Sequence, residues 1–168
     1  MNNVVVLNIL RLVVLVLTQV LIFNTLNFIG LINYMVYVIF LYWYPIKGDR
    51  AVFLITAFFL GLIVDVFSDT LALHALATLT AAFIRPLIMR FCFGVNYEFQ
   101  NFSFKNTTKV QRLTFLGLLV LVHHLVFFFL EILSLSHILL ILKKIVTTSL
   151  VTFFLCAMFS SLFSPKSE

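Results

Sequence analysis

The sequence predicts an all-α membrane protein, a bundle of six transmembrane helices with both termini in the cytoplasm. Three observations carry this. Composition is the first: of 168 residues, 63% are hydrophobic and 10% charged, and the mean hydropathy is +1.18, far outside the range of soluble domains. Soluble chains cover themselves with charge, whereas here Phe alone supplies 21 residues, and the 11 basic and 6 acidic positions are clustered. The second is length: apolar runs of roughly the 20 residues that cross ~30 Å of hydrocarbon recur along the whole chain. The third is charge, because basic residues alternate from loop to loop.

The first run, near 4–23, opens with MNNVVVLNILRL. It has no basic n-region, and no small-x-small site follows at Phe23-Asn24-Thr25, so the segment is expected to stay as a helix. Asn24, Thr25 and Asn27 end it. The second helix, near 30–45, stops at Pro45-Ile46-Lys47-Gly48-Asp49. The third and fourth, near 51–68 and 71–92, are separated only by a turn at Ser68-Asp69-Thr70 and must form an antiparallel hairpin. A polar loop follows at 94–112, GVNYEFQNFSFKNTTKVQR, the one sizeable segment outside the membrane. Its Tyr97, Phe99, Phe102 and Phe104 alternate loosely with polar residues, as in an aromatic headgroup anchor, an interfacial hairpin or a docking strip. The fifth and sixth helices, near 113–133 and 138–163, flank Ser134-Leu135-Ser136-His137.

Orientation follows from the basic residues. Lys47 and Arg50 lie after helix two, Arg90, Lys105, Lys109 and Arg112 in or beside the loop after helix four, and Lys166 after helix six. The loops after helices one, three and five carry neither Lys nor Arg. The positive-inside rule then places both termini and the basic loops in the cytoplasm. The glycosylation triplets at Asn101 and Asn106 fall on that side and are discarded. The net charge of +5 reads as loops facing anionic membrane lipid rather than as nucleic-acid binding. Cys92 and Cys156 lie far apart in apolar surroundings, which suits small core residues better than a disulfide or metal pair.

Charges inside the apolar runs need a partner, a wet cavity or a role, because each costs roughly 2.5–3.5 kcal/mol near the bilayer centre. Depth along the predicted helices brings Asp65, His74, Glu131 and Lys143 or Lys144 to one outer level. Asp65 is therefore expected to point into the bundle beside a cation. Arg11 and Arg85 fall on the inner half with no acid at their depth, so they snorkel to phosphates or meet an acid or carbonyl of another chain. The helical faces argue for packing: Asn8, Arg11, Leu15, Thr18, Gln19 and Ile22 share one side, Gly61, Asp65 and Ser68 a second, and His74, Thr78, Ala81 and Arg85 a third.

Nothing in the sequence assembles a catalytic set. His123 and His124 are adjacent, about 100° apart on their helix, without His-x-x-x-His or Glu-x-x-His spacing; Gly-rich phosphate loops and nucleophile elbows are missing. No enzyme activity and no cofactor are expected.

Gly61-x-x-x-Asp65, followed after a short turn by Leu73-His74-Ala75, resembles the MreD family of rod-shape-determining membrane proteins. The early helix with Asn and Arg, the basic loop after helix four and the cytoplasmic C-terminus are similar too. One position departs: the family usually has glycine two residues before the histidine, where this chain has Ala72. The resemblance implies a bacterial inner-membrane protein of the cell-elongation machinery, acting without catalysis. It implies pairing with the single-span MreC, and a link from cytoplasmic MreB filaments to the RodA glycosyltransferase and its class B penicillin-binding transpeptidase. It further implies a bundle similar to the substrate-binding S-components of energy-coupling-factor transporters. A genuine S-component is the alternative, with the outer cluster around Asp65 and His74 holding a small polar solute.

Overall fold

In a computed structural model the residues described are 2–26, 33–46, 48–98, 102–132 and 138–163, and among them there are helices and turns but no strand. Five helices are long and apolar enough to cross a membrane: Val6–Phe23, Arg50–Ser68, Leu73–Phe93, Lys109–Ile132 and Ile138–Ser161. The first is α1 (Asn2–Thr18) prolonged by a π-helical turn, Gln19–Phe23; the others belong to α3 (Arg50–Ser68), α4 (Leu73–Phe93), α5 (Lys109–Ile132) and α6 (Ile138–Phe163). Their spans match the sequence expectation to within a few residues, α5 starting four residues early. The chain is thus a multi-pass, all-helical membrane protein by length and composition.

The second expected helix, 30–45, departs from the sequence reading. Residues 30–32 lie outside the described residues and 33–35 are not helical; the helical part is one 3₁₀ turn, Val36–Val38, and a short α2, Ile39–Trp43. Two local causes act. Val36, Val38 and Ile39 are β-branched and weaken a helix, and Pro45 drives Tyr44 to extended backbone (ψ 136°), ending it. An irregular backbone at this depth is tolerated only when it is enclosed in protein, and Met35 through Leu41 are each at most 1% exposed. Side chains of three other helices meet its backbone. Gln19 Nε2 donates to the Tyr34 carbonyl (2.6 Å), Gln19 Oε1 accepts from Tyr37 N (3.4 Å), Thr152 Oγ1 accepts from Met35 N (3.4 Å), and Arg85 Nη2 donates to the Tyr44 carbonyl (2.6 Å). The π turn ends with Asn24 N donating to Gln19 O at 2.8 Å.

The segment nevertheless runs the length of the bundle. At its start Asn24 Nδ2 donates to Ser68 Oγ (2.9 Å), at the C-terminal end of α3; at its finish Asp49 caps the opposite end of α3 by accepting from Val52 N (3.0 Å). Asn24 and Asp49 therefore stand at opposite ends of a helix about 28 Å long. Around this path α4 and α5 are the most enclosed helices, 44% of each apolar window being buried, against 17% for α1 and 22% for α6. The outer faces of α1 and α6 are left for lipid or a partner.

The loop between α4 and α5 folds back onto the bundle. Phe102 and Phe104 stack around Phe93 at 5.3 and 5.7 Å, and Phe104 lies 5.5 Å from Tyr42 and 6.1 Å from Phe115. These two rings close the end of the helix bundle instead of standing free as an anchor or docking strip; Tyr97 is half-buried and Phe99 lies outside the described residues.

The α3–α4 hairpin is the tightest joint. A Cβ built at Gly61 would sit 2.5 Å from Ala75 Cα and 2.6 Å from the His74 carbonyl oxygen, so α3 can approach the backbone of α4 only because residue 61 has no side chain. Two non-glycine residues in the turn, Asp69 (φ 53°) and Ala72 (φ 59°), are left-handed. Asp tolerates this; alanine does so at a cost of roughly 1–2 kcal/mol. Two opposite outcomes are expected in detergent melts. Gly61→Ala should destabilise by about 1–3 kcal/mol or more, because the neighbour that must yield is backbone, and Ala72→Gly should stabilise by about 0.5–1 kcal/mol.

Candidate functional site

Asp65 sits one turn after Gly61, on the face that Gly61 brings against α4. Its carboxylate accepts from the backbone N–H of His74 (3.0 Å) and of Ala75 (2.8 Å), and from the Thr70 hydroxyl. Those two N–H groups are the second and third of α4, which no helical carbonyl can reach. The N-cap residue Ala72 has no side-chain acceptor to offer them. Asp65 supplies it from the preceding helix. Its own carbonyl accepts from Asp69 N and from Thr70 N (3.1 Å), so a single residue closes α3 and opens α4.

This corrects the pairing expected from depth. Asp65 meets neither Lys143 nor Lys144; it is 2% exposed and bound to backbone donors at the positive end of a helix. Lys144 Nζ instead pairs with Glu131 Oε2 at 3.0 Å, both side chains partly exposed, and Lys143 is on the exposed side of α6. Depth had grouped the residues without their directions.

His74 carries the interaction inward. Its Nδ1 lies 2.8 Å from the Tyr37 hydroxyl, which lies 2.8 Å from His123 Nε2; Thr78 Oγ1 donates to the His74 carbonyl (2.6 Å) and lies 3.3 Å from His123 Nε2. The Tyr37 hydroxyl thus bridges the two rings, and the direction of each bond follows the tautomers of His74 and His123. With Nδ1 on Tyr37, His74 has its Nε2 left over, a polar atom that no described residue uses. His124, by contrast, donates from Nδ1 to the Val120 carbonyl (2.7 Å) and takes Thr152 Oγ1 at Nε2 (3.3 Å).

Arg85 is 5% exposed, with its guanidinium on the Tyr44 carbonyl and 5.0 and 5.9 Å from the Phe53 and Phe115 rings. It neither snorkels nor awaits another chain, because α2 ends on it: the carbonyl preceding Pro45 is what it satisfies. Among the described residues its Nε has no partner, nor have His123 Nδ1, Thr148 Oγ1 and Ser149 Oγ. Arg11 differs. It is half-buried in a groove walled by Leu7, Leu10, Val14, Trp43 and Phe159, its guanidinium 5.8 Å from the Trp43 ring, and no acid pairs with it among the described residues.

The sequence reading missed Tyr37, Thr152 and the Tyr44 carbonyl. Tyr37 and Tyr44 lay inside a run read as an ordinary span, and a backbone acceptor leaves no trace in residue type. Thr78 and Gln19 had been placed on the right faces, beside His74 and Arg11. No group of three or more His, Cys, Asp and Glu able to hold a metal occurs among the described residues. Compared with protein families, with curated proteins and with solved structures, the chain matches none of them.

Replacement of Asp65 by Asn leaves one acceptor and turns an amide donor toward a backbone N–H. Detergent melts should report a loss of about 1–3 kcal/mol, while Lys144→Met, which breaks a partly exposed pair, should stay within about 1 kcal/mol of wild type. The reverse ranking would return Asp65 to the lysines.

Proposed function

We propose that this chain is a non-catalytic scaffold of the MreD kind in the bacterial inner membrane. In this reading the chain crosses six times with both termini in the cytoplasm, five crossings being helices and the sixth the enclosed segment 33–44. It pairs with a single-span MreC-like protein and takes part in coupling MreB filaments to the RodA glycosyltransferase and class B transpeptidase that build the lateral wall.

The observation that carries the reading is Arg11. A cation inside a membrane span needs a partner or a route to water, and this one sits on α1, the least buried long helix, in a groove whose other walls are aliphatic and aromatic but for Thr18, whose hydroxyl donates to the Val14 carbonyl. A partner helix presenting an acid or an exposed carbonyl, laid against α1 and α6, would satisfy it and cover apolar surface together. The hairpin motif also supports the family resemblance. Gly61, Asp65 and His74 act as one unit, and Ala72, the position at which the family usually has glycine, has the left-handed backbone that glycine adopts without strain. The S-component reading differs in its partners, since it requires an ATPase module.

The test is a mild-detergent pull-down from native membranes with mass spectrometric identification, wild type against Arg11→Leu. The expected result is MreC-like and wall-synthase partners with wild type, several-fold less with Arg11→Leu, and an unchanged melt of the isolated bundle. Equal recovery from both removes Arg11 from the interface, and recovery of ATPase subunits instead overturns the scaffold reading.

A further inference from the structure

The end of the bundle that holds Asp65 also holds a cavity of about 390 Å³, its lining including Gln19, Asn33, Tyr34, His74, Phe127 and Glu131. That size lies within the range of small-molecule sites. What it recognises depends on which lining groups remain uncommitted.

Several are committed to the protein itself. Gln19 uses both ends of its amide on Tyr34, Asn24 and Tyr37; Asn24 accepts from Gln19 and donates to Ser68; Thr70 donates to Asp65. Others remain. His74 Nε2 is used by no described residue, the second oxygen of Glu131 accepts nothing from them, the Asn33 amide and the Tyr34 hydroxyl have no hydrogen bond among them, and the Ser68 hydroxyl accepts from Asn24 with its proton uncommitted. The walls are aromatic: Phe127 lies 4.5 Å from the His74 ring, and Tyr34 6.1 Å from Phe23. Charge is balanced as well, because Glu131 is paired with Lys144 and Asp65 is bound to two backbone donors and a hydroxyl.

From this we propose that the cavity binds a small uncharged molecule rich in hydroxyl or amide groups, such as a sugar. A hydroxyl, which can donate or accept, meets His74 Nε2, a donor meets Glu131, and an apolar ring face lies on the aromatic wall. An anion would face Glu131, and a cation would meet a carboxylate already paired with Lys144, so neither gains from the site. The same chemistry is offered by a free sugar and by a neutral glycolipid headgroup. The inference stands apart from the scaffold reading, since it needs no protein partner.

The test uses the full chain in phosphatidylcholine nanodiscs, read by thermal melting and by the ¹⁵N signals of its four histidines. Glucose and N-acetylglucosamine serve as neutral probes, glucuronate and glucosamine as charged controls, and glucosyl-diacylglycerol against plain diacylglycerol as the lipid arm. A ligand specific to the folded state raises the melting temperature with concentration. Neutral probes are expected to raise it by several degrees and to move the His74 Nε2 signal. Asn33→Leu and Glu131→Ala should remove both effects without loss of the folded bundle. A response to the glycolipid alone supports the site and names the membrane as its source. Silence with every neutral probe and with the glycolipid overturns the proposal, as does an equal response to the charged sugars, or one undiminished in both variants.

Discussion

The structure depends on one constraint: backbone groups in an apolar interior must find hydrogen-bond partners inside the protein. Five helices meet it with their own ladders. The segment through Met35 and Tyr44 does not, and the polar side chains of the bundle are placed around that deficit. Gln19 and Thr152 serve its entry and Arg85 its exit. An intramembrane arginine suggests transport or charge sensing when seen in isolation; here its partner is the carbonyl before a proline.

The same constraint explains the aspartate. A carboxylate in lipid costs a few kcal/mol, yet two orphan N–H donors at a buried helix start would also cost roughly 1–3 kcal/mol each. Bringing the three together cancels most of both penalties, and the positive end of α4 adds to the attraction. Gly61 makes this possible by setting the separation of the helices, so the glycine and the aspartate form one device spread over one turn. A lysine is not needed, and Lys144 is left for a partly exposed pair with Glu131.

What the sequence revealed divides along a physical line. Hydropathy and loop charge sum over many residues, so the long helices, the tight α3–α4 hairpin and its glycine stood out. Helical faces were legible too: His74, Thr78, Ala81 and Arg85 are all buried. The broken second segment was not, because an enclosed half-helix and a lipid-facing span are equally apolar. Nor were the partners of Asp65 and Arg85, since both bind main-chain groups that every residue possesses. Ile22, grouped with the polar face of helix one, is instead 50% exposed, the π turn having rotated the last residues of that helix.

The irregular segment also orders the birth of the protein in time. Its bonds to Thr152 and Cys156 reach 117 and 120 residues along the chain, and its bond to Arg85 reaches 41. A ribosome delivers residues 33–44 long before α6, so when they first meet the membrane only Gln19, upstream, is at hand. Residues 33–44 complete their hydrogen bonding last although they are made second, and any translational pause or truncation ahead of α6 leaves Met35 N and the Val36 carbonyl without their α6 partners in the bilayer.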